Sequence, residues 1–242
     1  MASDVPLTFR ALVVAFTDFL TVAVHTILYE RSLYPRTSFV AARKYNFAVR
    51  QNRHPKVCEW INDAVTSVEV QLLKSAVDRI AVVIYDKSNT PLERFLFDVS
   101  PFPIVPEPEI DTPLVAGDDG DAVHLPVVDM EEQFRAVLSR LSNCAASLQP
   151  IPQGCTFTIA IELKGSDHHA PIRHPQAWIP VAPETGDIPY GSDASAQASK
   201  AIPIRAMAAG ELAFDAWIEE TRVKPSSTES DPSSQSTTNL SF

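Results

Sequence analysis

The sequence predicts an α+β fold in which helices cover a mainly antiparallel sheet. Three long segments carry apolar residues at helical spacing, and several shorter segments alternate between apolar and polar residues as strands do. The chain has 242 residues, of which 45% are hydrophobic and 21% are charged. This composition is typical of a folded globular protein, so we expect one large domain or two small ones.

The predicted centre of the sheet is a β-hairpin over residues 79–99. Ile80–Tyr85 is an unbroken apolar run, which suits a strand that is covered on both faces. Asp86–Pro91 is a polar turn, and Leu92–Val99 then alternates between a phenylalanine-rich face and a polar one. The two strands are therefore expected to pair around this turn.

The first helix is predicted over Leu7–Glu30, with Asp4 or Ser3 as its N-cap. It is apolar enough to span a membrane, but Asp18 would lie within the span at a high energetic cost, so we expect a helix buried in a core and no membrane contact. Asp18 and His25 fall on one side of this helix. They could form an acid–base pair, although two polar groups on a hydrated stripe are the simpler interpretation.

The remaining elements follow from the same patterns. Their predicted bounds, in chain order, are an irregular edge ribbon over Ser38–Val49, a second helix over His54–Lys74, an acidic and flexible insertion over Ser100–His124, a third helix over Pro126–Leu148, a strand over Cys155–Leu163, and two short strands over Ala201–Met207 and Leu212–Ile218. Lys164–Lys200 has no steady period, and the Ser/Thr-rich stretch Thr221–Phe242 is predicted to be a disordered tail.

The motifs provide little evidence of catalysis. We find no phosphate-binding loop, no dinucleotide glycine pattern, no nucleophile elbow and no zinc-protease helix. His168, His169 and His174 lie close together in the sequence, but without cysteine partners a chance cluster is favoured over a metal site. We therefore expect no catalytic residue, metal or cofactor. An enzyme that uses Asp18, His25 or these three histidines is the alternative from another functional class.

The net charge limits the classes of binding partner, and the cysteine content indicates the redox compartment. The net charge of −10 argues against direct nucleic-acid binding. Basic residues do gather around Arg36, Arg43, Lys44 and Arg50, and we interpret them as a solvated face. An odd number of cysteines, three, with no paired spacing favours a reducing compartment over a disulfide framework.

Several motifs together resemble the HORMA domain family, most closely its branch of accessory subunits of the translesion DNA polymerase zeta. The resemblance covers about residues 7–222. The segments that carry it are FLTVAVHTILYERSLYP (19–35), KYN (44–46), HP (54–55), AVVIYDKSNTPLERFLFDV (81–99), GCTFTI (154–159), AWI (177–179), IP (202–203) and WIEE (217–220).

This resemblance implies a non-catalytic adaptor that traps a peptide. Residues 164–221 would be a mobile safety belt that closes over a proline-bearing segment of the catalytic subunit of polymerase zeta. Tyr34, Trp60 and Trp178 match positions that form the peptide cleft in relatives, where tyrosine is frequent at the position of Trp60. We accordingly expect a HORMA domain over residues 7–222, with a disordered insertion at 101–124 and a disordered tail at 223–242.

Two further interfaces are implied by the resemblance. Arg135 matches an arginine through which family members pair with another HORMA domain, so a homodimer is possible. Ala201, Asp215 and Trp217 match positions that dock the C-terminal domain of a second translesion polymerase, the deoxycytidyl transferase. These functions imply a location in the nucleus. A cell-cycle or meiotic HORMA regulator that traps other peptides is the alternative.

Overall fold

The structure is a computed structural model, and it describes residues 6–116, 121–122, 127–165 and 200–221. Three α-helices are present in these ranges: α1 (Phe9–Glu30), α2 (Pro55–Leu73) and α3 (Val127–Leu141). Short 3-10 helices lie at Arg36–Ser38, Glu107–Glu109 and Cys144–Ser147. The three predicted helices are therefore present, and with the sheet described below they confirm the predicted α+β fold.

Five strands form the main sheet in the order β7-β3-β4-β9-β8, and every neighbouring pair is antiparallel. The predicted hairpin supplies its centre, since Ile80 pairs with Phe97 and Val82 with Phe95. The C-terminal hairpin adds to the β4 side and exceeds its predicted bounds at both ends. The strand bounds are β3 (Val77–Tyr85), β4 (Pro91–Asp98), β7 (Thr156–Leu163), β8 (Lys200–Ala209) and β9 (Leu212–Glu220).

A second, two-stranded sheet consists of β1 (Phe39–Lys44) and β2 (Phe47–Asn52). Its turn residues, Tyr45 and Asn46, both have positive φ angles, which is the signature of a tight hairpin turn. The prediction of a single irregular ribbon over 38–49 is therefore corrected to a regular hairpin. Two very short strands, β5 (Val115–Ala116) and β6 (Asp121–Ala122), also pair with each other.

Aromatic side chains fill the core between α1, α3 and the sheet. Phe19 of α1 stacks on Phe134 of α3 at 4.6 Å between ring centroids, and it lies 6.1 Å from Phe97 and 5.3 Å from Phe214. All four rings are fully buried. Helix α1 is long and apolar enough to cross a membrane, but 67% of its most apolar window is buried within the fold, as a central core helix requires.

The predicted start of α1 and end of α3 were wrong. Thr8 caps α1, because its side chain accepts a hydrogen bond from the backbone N–H of Ala11 at 3.1 Å. The predicted caps Asp4 and Ser3 lie outside the described residues. Helix α3 ends at Leu141, and the apolar period that predicted its continuation to Leu148 comes from the following 3-10 helix, where Cys144 is buried.

The first part of the predicted flexible insertion is packed against the fold. Phe102 is buried and contacts Phe16 edge-on at 5.2 Å. The backbone of this segment also bonds to the start of α1, with Leu114 N donating to Leu7 O at 2.7 Å. A disordered insertion is therefore wrong for residues 101–114. Residues 117–120 and 123–126 lie outside the described part of the chain.

One buried ion pair connects four separate parts of the chain. Arg31, just after α1, donates two hydrogen bonds to Glu93 of β4, at 2.6 and 2.7 Å. It also donates to the carbonyl of Gln149 at 2.6 Å, and the N–H of Gln149 donates to Glu220 of β9 at 2.7 Å. This set, which we call the Arg31 network, holds the last strand against the end of the first helix.

Candidate functional site

An aromatic groove lies where α2 meets the outer edge of β7. Trp60 of α2 packs edge-on against Phe157 of β7 at 4.9 Å, and Tyr34, just beyond α1, approaches the same ring at 6.4 Å. Trp60 is 42% exposed, so much of its indole remains available for contact. The groove holds about 270 Å³ and is lined by Tyr34, His54, Lys56, Val57, Trp60 and Phe157.

Asn52 positions the helix that carries Trp60. This residue is buried at the end of β2, and its side-chain oxygen accepts a hydrogen bond from the N–H of His54 at 2.8 Å. Its carbonyl accepts from the Cys58 thiol at 2.9 Å. Pro55 then occupies the first helical position, where a missing N–H costs nothing. The first turn of α2, and with it the groove wall, is thus fixed to the β1–β2 hairpin.

His25 bonds to the backbone of Asn52, the residue that positions α2, and not to Asp18. Its Nδ1 accepts a hydrogen bond from the N–H of Asn52 at 3.3 Å, and burial lowers the pKa of His25 to about 4, so the imidazole is neutral. Asp18 is exposed and bonds instead to Lys44, 2.6 Å away. The acid–base pair considered from the sequence is therefore wrong.

The groove opens beside an unpaired strand edge. Strand β7 pairs with β3 on one side, and no other strand among the described ranges pairs with its opposite side. Such an edge presents backbone N–H and C=O groups to which an extended peptide can add as a further strand. Phe157, Trp60 and Tyr34 would then contact the alternate side chains of that peptide.

The three residues predicted to form the second-polymerase interface lie together on the face of the sheet opposite the helices. Asp215 and Trp217 are two apart on β9 and share a face. Ala201 of β8 pairs with Glu219, the next residue on that face. The indole N–H of Trp217 donates to Glu219 at 3.2 Å, and the guanidinium of Arg79 lies 5.9 Å from the ring.

A shallow depression adjoins this tryptophan on the same face. It holds about 220 Å³, because the small residues Ala81 and Ala160 leave space between larger neighbours. Arg79 borders it and bonds to Glu162 at 3.1 Å and to Asp98 at 3.4 Å. The surface around Trp217 is thus a mosaic of apolar floor and paired charges, which is the usual composition of a transient protein interface.

Arg135 lies on α3 beside the β1–β2 turn. Its Nε donates to the carbonyl of Tyr45 at 3.2 Å. The side chain is half-buried and cements the turn to the helix. A role for Arg135 in pairing two HORMA domains stays a prediction.

Sequence reasoning missed several groove residues. Phe157 lies in a segment that was predicted only as a strand, and neither His54 nor Lys56 was singled out as part of a site. The hydrogen-bonding role of Asn52 had no local signal. Trp178 and the histidines at 168, 169 and 174 lie outside the described residues. Within the described part of the chain, no group of three or more histidine, cysteine or acidic side chains is arranged to hold a metal ion.

Comparison with characterised proteins gives the same family. The DNA polymerase zeta processivity subunit of Schizosaccharomyces pombe is 31% identical over 223 residues, which cover 91% of this chain and 98% of the relative. The mitotic spindle assembly checkpoint protein MAD2B of Bos taurus is 30% identical over 209 residues, covering 86% and 90% of the two chains. The human MAD2B is 30% identical over 203 residues, covering 84% and 88%.

Solved structures share the fold at low identity. A chain in the crystal structure of the mitotic checkpoint complex superposes with a TM-score of 0.63 at 16% identity, covering 91% of this chain and 99% of that one. The Caenorhabditis elegans protein HTP-2, bound to the HIM-3 closure motif, gives 0.55 at 11% identity, covering 86% and 89%. The HORMA domain profile matches residues 13–202. This chain belongs to the HORMA domain family and groups with the polymerase zeta processivity subunits and MAD2B proteins.

Proposed function

We propose that this chain is a non-catalytic accessory subunit of DNA polymerase zeta, which binds an extended, proline-bearing segment of the catalytic subunit along β7. The observation that carries the proposal is the outer edge of β7, which no described strand covers, beside the aromatic groove of Tyr34, Trp60 and Phe157. Backbone pairing at the edge would supply affinity, and the rings would select the side chains. The name of the Schizosaccharomyces pombe relative supports the choice of polymerase.

Residues 164–221 would close over the bound segment as a safety belt. The described part of this stretch, Lys200–Glu220, is the β8–β9 hairpin at the opposite edge of the sheet from β7. The connection between β7 and β8 therefore joins opposite edges of the sheet, as a segment that passes over a bound ligand would. Topological closure of this kind slows dissociation more than it speeds association.

The open face of the sheet would hold the second partner. We propose that Ala201, Asp215 and Trp217 dock the C-terminal domain of the deoxycytidyl-transferase polymerase, so that one adaptor joins two polymerases in the nucleus. This face and the β7 edge are separate surfaces, and the proposal requires that both ligands bind at the same time. Arg135 would serve a third contact, with another HORMA domain.

Two tryptophan variants separate the two binding surfaces. Trp60→Ala should weaken binding of a proline-bearing peptide of the catalytic subunit by about 2 kcal/mol or more, roughly 30-fold in Kd, as loss of a buried aromatic anchor usually does. Trp217→Ala is the matched control, since it removes an equal ring from the opposite face. It should leave peptide affinity unchanged and weaken binding of the second polymerase domain. Isothermal titration calorimetry measures both affinities.

Two results would overturn the proposal. One is that Trp60→Ala binds the peptide as tightly as the unmodified chain, and the other is that Trp60→Ala and Trp217→Ala lose equal peptide affinity. Trp178→Ala tests the predicted third anchor in the same assay. A panel that adds peptides from cell-cycle and meiotic partners decides the alternative, because retention of one of these over the polymerase peptide would assign the chain to a different HORMA pathway.

Hydrogen exchange tests the belt directly. Residues 164–221 should gain protection when the peptide binds, because closure removes their backbone groups from solvent. Equal protection with and without peptide would exclude a belt, while leaving binding at the β7 edge to be judged by calorimetry. Fluorescent tagging of the full chain in cells tests the nuclear location, which a uniform cytoplasmic signal would contradict.

A further inference from the structure

A basic stretch of the chain carries arginines that the proposed function does not use, although it also contains the groove residues Tyr34, His54 and Lys56. Residues 31–56 hold seven lysine and arginine residues and no aspartate or glutamate. The rest of the chain therefore carries a formal charge of −17 within a total of −10. The seven basic residues are Arg31, Arg36, Arg43, Lys44, Arg50, Arg53 and Lys56.

The β1–β2 hairpin gathers most of these charges on one surface. Arg50 pairs with Ala41 and Arg43 with Ala48, so both arginines project from the same face and are separated only by small side chains. Both are exposed. At the base of the hairpin, the N–H of Arg53 donates to Ser38 O at 2.9 Å. That bond brings the residues after β2 back beside the 3-10 helix that contains Arg36.

Two of the guanidinium groups are held in place by an aromatic ring. Those of Arg36 and Arg50 lie 4.6 and 5.3 Å from the ring centroid of Tyr29, and Arg36 also donates to the Tyr29 hydroxyl at 3.2 Å. Tyr29 in turn packs edge-on against Phe39 of β1 at 5.2 Å. Glu30 is the acidic neighbour of both arginines, and burial raises the pKa of its carboxyl group.

The other acids near the hairpin leave most of its charge available. Lys44 is paired with Asp18 at 2.6 Å, and Arg31 is buried with Glu93 and belongs to the Arg31 network. Arg43 bonds to the neutral side chain of Asn46. Four exposed cations therefore remain on and beside the hairpin, which is about 20 Å long by the usual rise per strand residue. We call this surface the ribbon, and its cations are Arg36, Arg43, Arg50 and Arg53.

We propose that this ribbon binds the phosphate backbone of double-stranded DNA without sequence preference. A duplex backbone needs repeated cations and little else, whereas a peptide partner needs pockets for anchoring side chains, and the face between Arg43 and Arg50 carries only alanine. Stacking of single-stranded bases is disfavoured because guanidinium groups already occupy the Tyr29 ring. The net charge of the chain had argued against nucleic-acid binding, whereas the local positive charge of this surface favours it.

Fluorescence anisotropy of a labelled, mixed-sequence duplex of about 20 bp tests the ribbon at 50–200 mM salt. The double variant Arg43→Gln/Arg50→Gln should weaken binding by about tenfold or more at 50 mM salt, and it should reduce the slope of log K against log salt by about 2, one for each lost phosphate contact. The double variant Arg43→Lys/Arg50→Lys should retain most of the affinity, since it keeps both charges.

The matched control is Lys74→Gln/Lys87→Gln, which removes two exposed charges elsewhere and should change affinity less than twofold. No duplex binding by the unmodified chain at 50 mM salt, or equal losses in the two glutamine variants, would overturn the proposal. So would tighter binding to a single strand or to a polyglutamate peptide of equal charge. Trp60→Ala should bind the duplex normally, which keeps this test separate from that of the groove.

Discussion

Two arginine–carboxylate pairs in this molecule have the same geometry and opposite surroundings. Arg31 bonds to Glu93 through Nε and Nη2 at 2.7 and 2.6 Å, and Arg10 bonds to Asp111 through the same two atoms at 2.5 and 3.0 Å. The first pair is 5% and 0% exposed at its side chains, whereas the second is 43% and 66% exposed. Burial is therefore the main variable that distinguishes them.

The comparison shows that the stability lost when one member of an ion pair is removed depends on whether the remaining charge can be solvated. In water, either member of the Arg10–Asp111 pair is solvated when its partner is removed. In the core, loss of one member strands a charge that has neither water nor a counter-ion. The buried pair also joins α1, β4, the loop at Gln149 and β9, so its loss would loosen elements that are far apart in sequence.

The largest effect is expected for Glu93→Leu. This change leaves the Arg31 guanidinium buried without its carboxylate, and we expect the free energy of unfolding to fall by about 3–5 kcal/mol in urea denaturation. The double variant Arg31→Met/Glu93→Leu should recover much of that loss, because no charge remains buried. A double variant as unstable as the single one would show that the pair itself, and not the stranded charge, dominates.

His25 extends the comparison to a buried base. Its pKa falls from 6.5 in the unfolded chain to about 4 in the fold, so the folded state binds fewer protons between these values. Its contribution to stability is therefore complete above about pH 6.5 and is lost as the pH falls towards 4, by about 3 kcal/mol in all. His25→Asn, which keeps an acceptor for Asn52 N–H, should remove this part of the pH dependence in urea titrations at pH 7 and pH 5. An unchanged pH profile would contradict it.

Glu220→Ala should have a smaller and more local effect. It removes the acceptor of the Gln149 N–H within a buried network, which typically costs about 1–3 kcal/mol. Because Glu220 ends β9, hydrogen exchange should accelerate first in the β8–β9 hairpin. Glu220→Gln is the control, since it retains an acceptor at the same place. Uniform acceleration across α1 and β3 would argue against a local role.

The smallest effect is expected for Arg10→Ala. Although the bonded carboxyl of Asp111 has a lowered pKa through its hydrogen bonds to Arg10, both groups return to full solvation when the pair is broken. The thermal midpoint should stay within experimental error of the unmodified chain. A clear drop would mean that the pair holds residues 101–114 to α1 more firmly than backbone bonds such as Arg10 N to Ile110 O do.

The sequence predicts the periodic elements well and the long-range contacts poorly. The helical stripe of α1 and the alternation of β4 are local signals, and each leads to the correct element. The Arg31–Glu93 pair spans 62 residues, and nothing in either neighbourhood marks it. Residues 101–114 look solvated by composition, but Phe102 and backbone bonds to α1 outweigh the acidic side chains.

In the candidate site too, some residues are predictable from local sequence signals and others depend on long-range contacts. Trp60 stands beside the core stripe of α2, and that position alone predicts a half-exposed ring. The ring of Phe157 reaches the groove only because β7 pairs with β3 at the edge of the sheet, and no periodicity within the segment reveals which edge is free. In the sequence, Asn52 is an ordinary polar residue at the end of a predicted ribbon, yet it takes part in four hydrogen bonds, with His25, Ser38, His54 and Cys58.

The outer edge of β7, with which no strand of the described ranges pairs, has a consequence for handling the protein. An uncapped row of backbone donors and acceptors is a template for any extended chain, including a second copy of the same strand. Production without a cognate peptide should therefore favour self-association and precipitation, and co-expression with the peptide should improve yield. The tendency of a sample to precipitate would then indicate how much of the protein has a peptide bound, before any binding assay is run.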